Sequence, residues 1–197
     1  MKTIRELKYP FTPDSVRRLH AGDLVSVSGL VFTGRDRLHR HLFDGNPPPA
    51  DMKGAGLFHC GPVMTRAGGA WVVEAAGPTT SIRFESYLPD LIRRHGLGIV
   101  IGKGGMGAGT ARACAECGCV YLHTIGGAAQ VLADRIARVV GVYFLEEFGA
   151  AEAMWELELD AFPAMVTMDA HGGNLHDAVA RRSQAGLARL IGRAGTA

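Results

Sequence analysis

Long apolar runs are absent from this sequence of 197 residues. No stretch approaches the roughly 18 consecutive apolar residues that a membrane-spanning helix needs, and residues Met1 to Glu6 lack the apolar core of a signal peptide. An excess of one charge is also missing, since 21 lysines and arginines against 19 aspartates and glutamates leave a net charge of +2. We therefore expect neither a membrane nor a nucleic acid as a partner.

Cysteine is scarce, and its four positions are poorly placed for disulfides. Cys114, Cys117 and Cys119 lie within six residues, which does not suit a disulfide-stapled secreted domain. We expect a reduced, cytoplasmic protein. A zinc or iron–sulfur site needs three or four ligands within reach, whereas Cys119 opens the next predicted strand and Cys60 stands alone. The thiols are expected to be small buried side chains, and the chain to hold no metal of its own.

What the sequence does contain is the composition of an ordinary globular domain, with 47% hydrophobic and 20% charged residues. Its length predicts one domain rather than two. Strands dominate the front half after a short helix that Thr12 caps, and strands alternate with helices in the second half. The predicted strands are 24–32, 57–60, 71–76, 99–101, 120–122, 142–145 and 164–168, and the predicted helices are 79–96 (broken near Pro89), 108–117 and 127–138.

This order of elements indicates an α/β fold with a β-rich N-terminal half, packed on a three-layer unit in which strands and helices alternate. We expect the domain to cover residues 1–174. Residues 175–197 are expected to form a C-terminal helix or tail.

A glycine-rich turn, Gly102 to Gly107, follows the strand at 99–101 and precedes a helix, so it fits the G-x-G-x-x-G pattern in its usual context. A dinucleotide site also needs an acidic residue about 20 positions further on, and residues 119–126 contain none. A nucleotide-dependent oxidoreductase is therefore disfavoured. The turn still offers backbone N–H groups and the ammonium of Lys103, which suit a small anion. A purely structural turn is the alternative.

Two further segments carry cations. Residues 77–83 are predicted to open a helix with Thr79 and Arg83 one turn apart on the same face, so that a hydroxyl, free N–H groups and a guanidinium meet where a carboxylate fits. Hydroxyls that only cap the helix are the alternative.

Residues 34–39 follow the first predicted strand and carry four ionisable side chains. We expect them to belong to the same site; the alternative is a surface turn with a weak Arg–Asp pair.

Three separated segments thus each supply a cation in a chain of small net charge: Arg35, Arg83 and Lys103. If these side chains share one pocket, its natural ligand is a small polyanion such as a dicarboxylate.

The same motifs resemble the β subunit of class I fumarases and L(+)-tartrate dehydratases. The resemblance covers roughly residues 7–174 and is carried by Thr33-Gly34-Arg35-Asp36 with His39, Gly77-Pro78-Thr79-Thr80-Ser81-x-Arg83, Ile101-Gly102-Lys103-Gly104, Tyr121-Leu122-x-x-Ile125-Gly126-Gly127-Ala128-Ala129 and Asp160-x-Phe162-Pro163-Ala164. It implies a swivelling β/β/α domain, used as a separate subunit or as the C-terminal half of a longer enzyme.

Enzymes of this kind add or remove water on a four-carbon dicarboxylate, and the resemblance implies that reaction here, on fumarate/malate first and tartrate next. It also implies an oxygen-sensitive [4Fe–4S] cluster whose cysteine ligands belong to the α subunit. This chain is then expected to bind no cofactor alone and to act only with its α subunit, in a hetero-oligomer of the α2β2 kind, or to form a homodimer when isolated.

The resemblance also assigns roles to individual residues. Substrate carboxylates would be held by a set of cations and their neighbours, namely Arg35, Arg83, Lys103, Thr80 and Gly104. Thr79 would move the proton at the C–H carbon, which requires nearby cations because a hydroxyl is a weak base.

His39 is the alternative acid/base, since an imidazole has an ordinary pKa near about 6.5. Asp36 is expected to support the site or to contact the substrate. A different class of function stays open at this point: a stand-alone dicarboxylate-binding or regulatory module without catalysis.

Overall fold

Strands and helices alternate in the second half of the molecule, which confirms the predicted α/β class. The computed structural model describes residues 3–194. In that range the strands are β1 (Arg5–Lys8), β2 (Leu24–Thr33), β3 (Gly56–Phe58), β4 (Val63–Ala67), β5 (Ala70–Ala75), β6 (Ile99–Gly102), β7 (Val120–His123), β8 (Ile136–Tyr143) and β9 (Met154–Met168). The helices are α1 (Pro13–Val16), α2 (Asp36–Phe43), α3 (Leu88–His95), α4 (Ala108–Cys117), α5 (Ala129–Ala133), α6 (Leu145–Phe148) and α7 (Leu175–Ala194), with a 3₁₀ helix at Ser81–Phe84.

One mixed sheet organises the fold, with the strand order β1-β2-β3-β6-β7-β9-β8. β2 also pairs with β9, and this pairing closes β2, β3, β6, β7 and β9 into a barrel-like ring. Neighbouring strands from β1 to β7 are parallel, whereas β9 is antiparallel to β2, β7 and β8. β4 and β5 form a separate hairpin. The three-layer arrangement stays a prediction.

The parallel strands β6 and β7 are buried on both faces, which explains their uninterrupted apolar sequences. Ile99 and Ile101 belong to one hydrophobic cluster, with Trp155 and Phe58. Val100, between them, points into a second cluster with the leucines of α2 and α3. Successive side chains of a strand point to opposite faces, so a strand lined on both sides has no polar position to display.

The long strand β9 was predicted only in part, as residues 164–168. Asp160 and Pro163 are residue types that interrupt strands. Packing outweighs this local preference, because Phe162, between them, is fully buried. The first half of β9 lies between β2 and β8, and its second half lies between β2 and β7.

The helix predicted over 127–138 is wrong in its second half. It ends as α5 at Ala133, and Ile136 instead opens β8, where it pairs with Leu159. Of the strand predicted at 142–145, only Val142 and Tyr143 belong to β8, and Leu145 begins α6. Pairing with β9 outweighs the helical spacing of Ile136.

The chain from Leu175 to Ala194 forms helix α7, so the helical alternative is confirmed for this part. Asn174 caps it, since the Asn174 side-chain oxygen accepts from the backbone N–H of His176 at 3.0 Å. The prediction for residues 195–197 lies outside the described residues. Among residues 3–194, none of the helices combines the length and the apolar character needed to cross a bilayer.

Candidate functional site

The carboxyl ends of β2, β3 and β6 lie at one edge of the sheet, because these neighbouring strands are parallel. Arg35 follows β2, His59 follows β3, and Lys103 follows β6. Ligand sites in α/β sheets commonly occupy this edge, where loops from several strands meet. The topology therefore brings two of the three predicted cation-bearing segments together.

Residues 78–81 run across this edge as an extended segment and bring the third. The backbone N–H of Thr79 donates to the carbonyl oxygen of His59 at 2.7 Å, and the N–H of Ser81 donates to the carbonyl oxygen of Lys103 at 3.0 Å. Thr80 forms a parallel bridge with Lys103. Thr79 and Thr80 thus lie beside the glycine turn.

The predicted start of the helix at Thr79 is therefore wrong, although its later part is present as α3. A 3₁₀ helix starts only at Ser81, and α3 follows from Leu88. The backbone groups of Thr79 and Ser81 bond to the ends of β3 and β6 rather than to each other's helical turn. Thr79 and Arg83 are not related by one helical turn, and the contact of this segment with Lys103 replaces the predicted geometry.

Two of the three predicted cations are paired with carboxylates. Arg83 contacts Asp36 at 2.9 Å, and Arg35 contacts Glu152 at 3.4 Å. In the described part of the chain, Lys103 makes no ion pair. Asp36 thus holds the guanidinium of Arg83 in place. The three cations together with their two carboxylate partners carry a net charge of one positive rather than three.

The start of helix α4, directly after the glycine turn, already holds an anion. The carboxylate of Glu85 accepts hydrogen bonds from the backbone N–H groups of Gly107 (2.8 Å) and Thr110 (3.0 Å) and from the Thr110 hydroxyl (2.6 Å). A bound pyrophosphate would need these same groups. The internal carboxylate explains physically why the G-x-G-x-x-G pattern here is not a dinucleotide site.

Within the turn, Gly104 has a positive φ of 77°, which favours glycine. Gly102 is constrained by contact instead: a Cβ there would overlap Ser81 Oγ and lie 2.8 Å from the Tyr121 hydroxyl. The Lys103 side chain extends toward the loop after β7, where a Cβ on Gly126 would lie 3.6 Å from Lys103 Nζ. The ammonium is therefore held between two glycine-rich loops.

His39 lies beneath this edge rather than on it. Its side chain is fully buried, its Nδ1 lies 2.7 Å from the carbonyl oxygen of Arg35, and its ring stacks on Phe84 at 4.1 Å. Burial lowers the pKa of His39 to about 4, although its hydrogen bond to Arg35 and the charge of Asp36 act in the opposite direction. The hypothesis that His39 exchanges protons with a substrate does not agree with this geometry.

The sequence analysis missed His59 and Ser81, which complete a buried polar group with His39. His59 Nε2 lies 3.2 Å from His39 Nε2, and His59 Nδ1 lies 2.8 Å from Ser81 Oγ. Burial, together with the charges of His39 and Arg83, lowers the pKa of His59 well below its ordinary value. The available signal was a histidine directly after a buried apolar strand.

A second pair of histidines flanks the glycine turn. The rings of His123, at the end of β7, and His176, at the start of α7, are 6.1 Å apart. A Cβ on Gly105 would lie 2.9 Å from His176, so helix α7 contacts the turn. Burial and the neighbouring His123 lower the pKa of His176.

The four cysteines do not fit a metal cluster at this edge. All are free thiols, and the described residues include no group of three or more potential ligands. Burial raises the pKa of Cys60 to about 12. A hydrogen bond with Cys114 and burial raise the pKa of Cys119, which opens the amino end of β7, opposite the site. A cluster needs three or four ligands within reach of one another, and Cys60, after the carboxyl end of β3, lies at the opposite end of the sheet from Cys119, before the amino end of β7.

The sequence that forms this closed sheet and its cationic edge matches a known class of protein domain. The family model described as fumarase C-terminus matches residues 2–179, and the chain belongs to that family. The resemblance that the motifs indicated is thereby confirmed.

Relatives carry names from two groups within this class. A Geobacillus stearothermophilus protein with a class I fumarate hydratase name is 49% identical over 178 residues, which is 90% of this chain but 34% of that protein. A Methanocaldococcus jannaschii protein with an L(+)-tartrate dehydratase subunit beta name is 35% identical over 194 residues, 94% of this chain and 100% of the relative. The L(+)-tartrate dehydratase subunit beta of Escherichia coli K12 is 33% identical over 171 residues, 86% of this chain and 85% of the relative.

Proposed function

We propose that this chain is the β subunit of a hydro-lyase that adds or removes water on a four-carbon dicarboxylate, fumarate/malate first and tartrate next. One observation carries the proposal: the backbone of Thr79 to Ser81 bonds to the ends of β3 and β6, so that Thr79 and Thr80 lie beside Lys103 at the edge that also bears Arg35. The names of the relatives support the reaction class.

Substrate carboxylates would be bound by the cations of this edge. A guanidinium has five N–H donors, and the contact of Arg83 with Asp36 joins Nη2 to one carboxylate oxygen. Arg83 therefore retains donors for a bidentate contact with a carboxylate. Lys103, which has no carboxylate partner among the described residues, supplies the unbalanced charge. Thr80 and Gly104, its neighbours, would add donors.

Proton transfer at the C–H carbon would fall to the hydroxyl of Thr79. Its side chain is partly exposed, as a group that touches substrate must be. A threonine hydroxyl is a weak base, so its alkoxide needs a cation nearby, and the bridge of Thr80 with Lys103 supports such a neighbour. His39 is left out of this step because it is fully buried.

The remaining parts of the enzyme would come from an α subunit. Because the cysteines of this chain do not fit a cluster, we assign a [4Fe–4S] cluster to that partner, in a hetero-oligomer of the α2β2 kind. This chain's own share is to hold the carboxylates and move a proton. Free buried thiols are consistent with a cytoplasmic location.

The proposal is tested by anaerobic co-expression with an α subunit of this family, followed by assays with fumarate, malate and tartrate. We expect turnover of one of these acids by the brown complex and none by the chain alone. Tight dicarboxylate binding by the chain alone, with no α subunit retained and no turnover, would instead establish the non-catalytic binding module.

Replacing Lys103 with methionine in that complex is expected to raise KM by about tenfold to a hundredfold, because a charge facing the substrate carboxylate is lost at nearly constant side-chain length. Lys53→Met is the matched control, since Lys53 is exposed and lies beside Gly96, away from the carboxyl ends of the strands. Steady-state kinetics of both variants decide the matter. An unchanged KM for Lys103→Met contradicts its role.

A double variant, Cys114→Ser with Cys117→Ser, is expected to keep the iron content and activity of the complex. Cys114 is buried among apolar side chains of α4 and β7, and burial raises the pKa of Cys117. Iron analysis per complex and the absorbance of the cluster are the measurements. Loss of iron in this variant would show that these thiols are ligands.

A further inference from the structure

Three buried polar side chains form a continuous chain beneath the candidate site: His39 from α2, His59 after β3 and Ser81 at the start of the 3₁₀ helix. We call them the histidine chain. Each side chain is fully buried, and the links measure 3.2 Å between His39 and His59 and 2.8 Å between His59 and Ser81. Burying polar groups costs free energy unless they are hydrogen-bonded, so the complete set of bonds calls for a reason.

The direction of every bond in the histidine chain follows from its first acceptor. The carbonyl oxygen of Arg35 can only accept, so His39 Nδ1 carries a hydrogen. In a neutral imidazole His39 Nε2 must then accept, which makes His59 Nε2 the donor. His59 Nδ1 in turn accepts from the Ser81 hydroxyl. The two histidines are therefore in opposite tautomers.

The histidine chain ends on the backbone of the residues that carry the proposed function. One end is the carbonyl oxygen of Arg35. At the other end, Ser81 Oγ accepts from the backbone N–H of Lys103 at 3.3 Å. In the middle, the carbonyl oxygen of His59 holds the N–H of Thr79 at 2.7 Å. Three segments that are distant in sequence are thus connected through one imidazole.

This arrangement does not suit proton transfer to the substrate. One end of the histidine chain is a carbonyl oxygen, which has no proton to pass on. All three side chains are also shielded from solvent. Phe84 covers both rings, with centroids 4.1 Å from His39 and 4.7 Å from His59. Ser81 Oγ is confined by Gly102, where any Cβ would overlap it. Rigid placement is the role that remains.

We propose that His59 is a positioning residue of the site: its two ring nitrogens hold the Arg35 turn at a fixed distance from the two segments that bear Thr79 and Lys103. The inference rests on the proposed function. Through Nε2 the imidazole acts on His39 and so on Arg35. Through Nδ1 it acts on Ser81, whose Oγ lies 3.3 Å from the backbone nitrogen of Lys103 and 3.5 Å from the carbonyl oxygen of Thr79. The link from His59 to His39 and the link from His59 to Ser81 can therefore be broken separately, with different consequences for the site.

Two substitutions of His59 separate these links in the complex with the α subunit. His59→Asn brings an amide oxygen near the place of Nδ1, where it still accepts from Ser81, but cannot reach His39. His59→Gln reaches the place of Nε2 and donates to His39, but leaves Ser81 without its partner. We expect His59→Asn to raise KM about tenfold with little change in kcat, and His59→Gln to lower kcat about a hundredfold, since small misplacement of reacting groups is costly.

Thr33→Val is the control for a merely structural effect. Thr33 is also fully buried, donates to the carbonyl oxygen of Ala153 and accepts from the N–H of Trp155, so Thr33→Val loses two bonds, one more than either His59 variant, without contact to the histidine chain. Its kcat and KM are expected to stay near wild-type values even where its melting temperature falls. Positioning by His59 is overturned if both His59 variants keep wild-type kinetics, or if all three variants lose activity alike in step with melting temperature.

A measurement without activity tests the histidine chain itself. Long-range ¹H–¹⁵N spectra of histidine-labelled full chain distinguish imidazole tautomers. We expect the His39 ring to be protonated on Nδ1 and the His59 ring on Nε2, with His39 neutral at pH 5.5, and Ser81→Ala to shift the signals of the His59 ring. Equal tautomers for these two rings, or a doubly protonated His39 at that pH, would refute the histidine chain. If these spectra are as expected but the wild-type complex hydrates no dicarboxylate, the proposed function fails on its own.

Discussion

Arg83→Ala in the complex with the α subunit is expected to lower kcat/KM for the dicarboxylate by about a thousandfold, the usual cost of removing one fixed donor from a reacting centre. The guanidinium is held before any substrate arrives, by Asp36 at 2.9 Å and by the ring of Phe84, 4.9 Å below it. A donor fixed in advance needs no reordering in the reaction. Since the Arg83 side chain is 39% exposed, its removal leaves no cavity in the core, and we expect the chain to remain folded.

Arg93→Ala is the matched control for this loss. The Arg93 side chain is equally exposed, at 39%, and its guanidinium contacts the carboxylate of Glu116 at 2.8 Å. Both variants therefore remove an arginine from a surface ion pair, which by itself contributes little to stability. Anaerobic initial rates and thermal melting are the measurements. Equal kinetics for Arg83→Ala and Arg93→Ala would remove Arg83 from the site.

Elements buried on both faces were the part of the fold that local sequence predicted best. The strands at Ile99–Gly102 and Val120–His123 are short, apolar and surrounded by glycine, so composition alone indicated them. The error over 127–138 has the opposite cause. Ile136 follows a helical spacing but becomes a strand residue by pairing with Leu159, and a partner more than 20 positions away is invisible to any local pattern.

The candidate site shows the same division. The cations were predictable, because charged residues after strands are conspicuous in a chain of low net charge. Two carboxylates near them were not: Glu152, the partner of Arg35, is far from it in sequence, and Glu85 reaches the start of α4 only through the fold. The position of Thr79 depended on hydrogen bonds to two strand ends rather than on helix signals. Bonding between distant segments decides such positions, and the resemblance to a family supplied what periodicity could not.

Acidification is expected to destabilise the chain between pH 6.5 and about 4 through the buried histidines. The folded protein keeps His39 neutral, because burial lowers its pKa from 6.5 to about 4, while the unfolded chain takes up a proton as the pH falls below 6.5. The free energy of unfolding then decreases by about 1.4 kcal/mol per pH unit from His39, or about 3 kcal/mol over the window. This contribution is fully present above pH 6.5 and is lost by pH 4.

Burial sets the direction of this effect, and the neighbours of His39 modify its size. Burial acts first, Arg83 adds a repulsive charge, and Asp36 with the Arg35 carbonyl offsets part of it. His59 acts in the same sense, since its pKa is also lowered, and two protonated rings with facing Nε2 atoms at 3.2 Å would repel each other. A proton taken up by either ring therefore opposes the folded state.

Urea unfolding at pH 7.5, 6.5, 5.5 and 4.5 measures this dependence, with His39→Gln beside the wild type. The glutamine does not titrate, so the slope of unfolding free energy against pH between 6.5 and 4 should fall by about 1.4 kcal/mol per unit. His20→Gln, which removes an exposed histidine, should retain the wild-type slope. If the slopes of the wild type and His39→Gln coincide, His39 is not buried in its neutral form, and the directional bonding of the histidine chain, which requires a neutral ring at that position, would lose its basis.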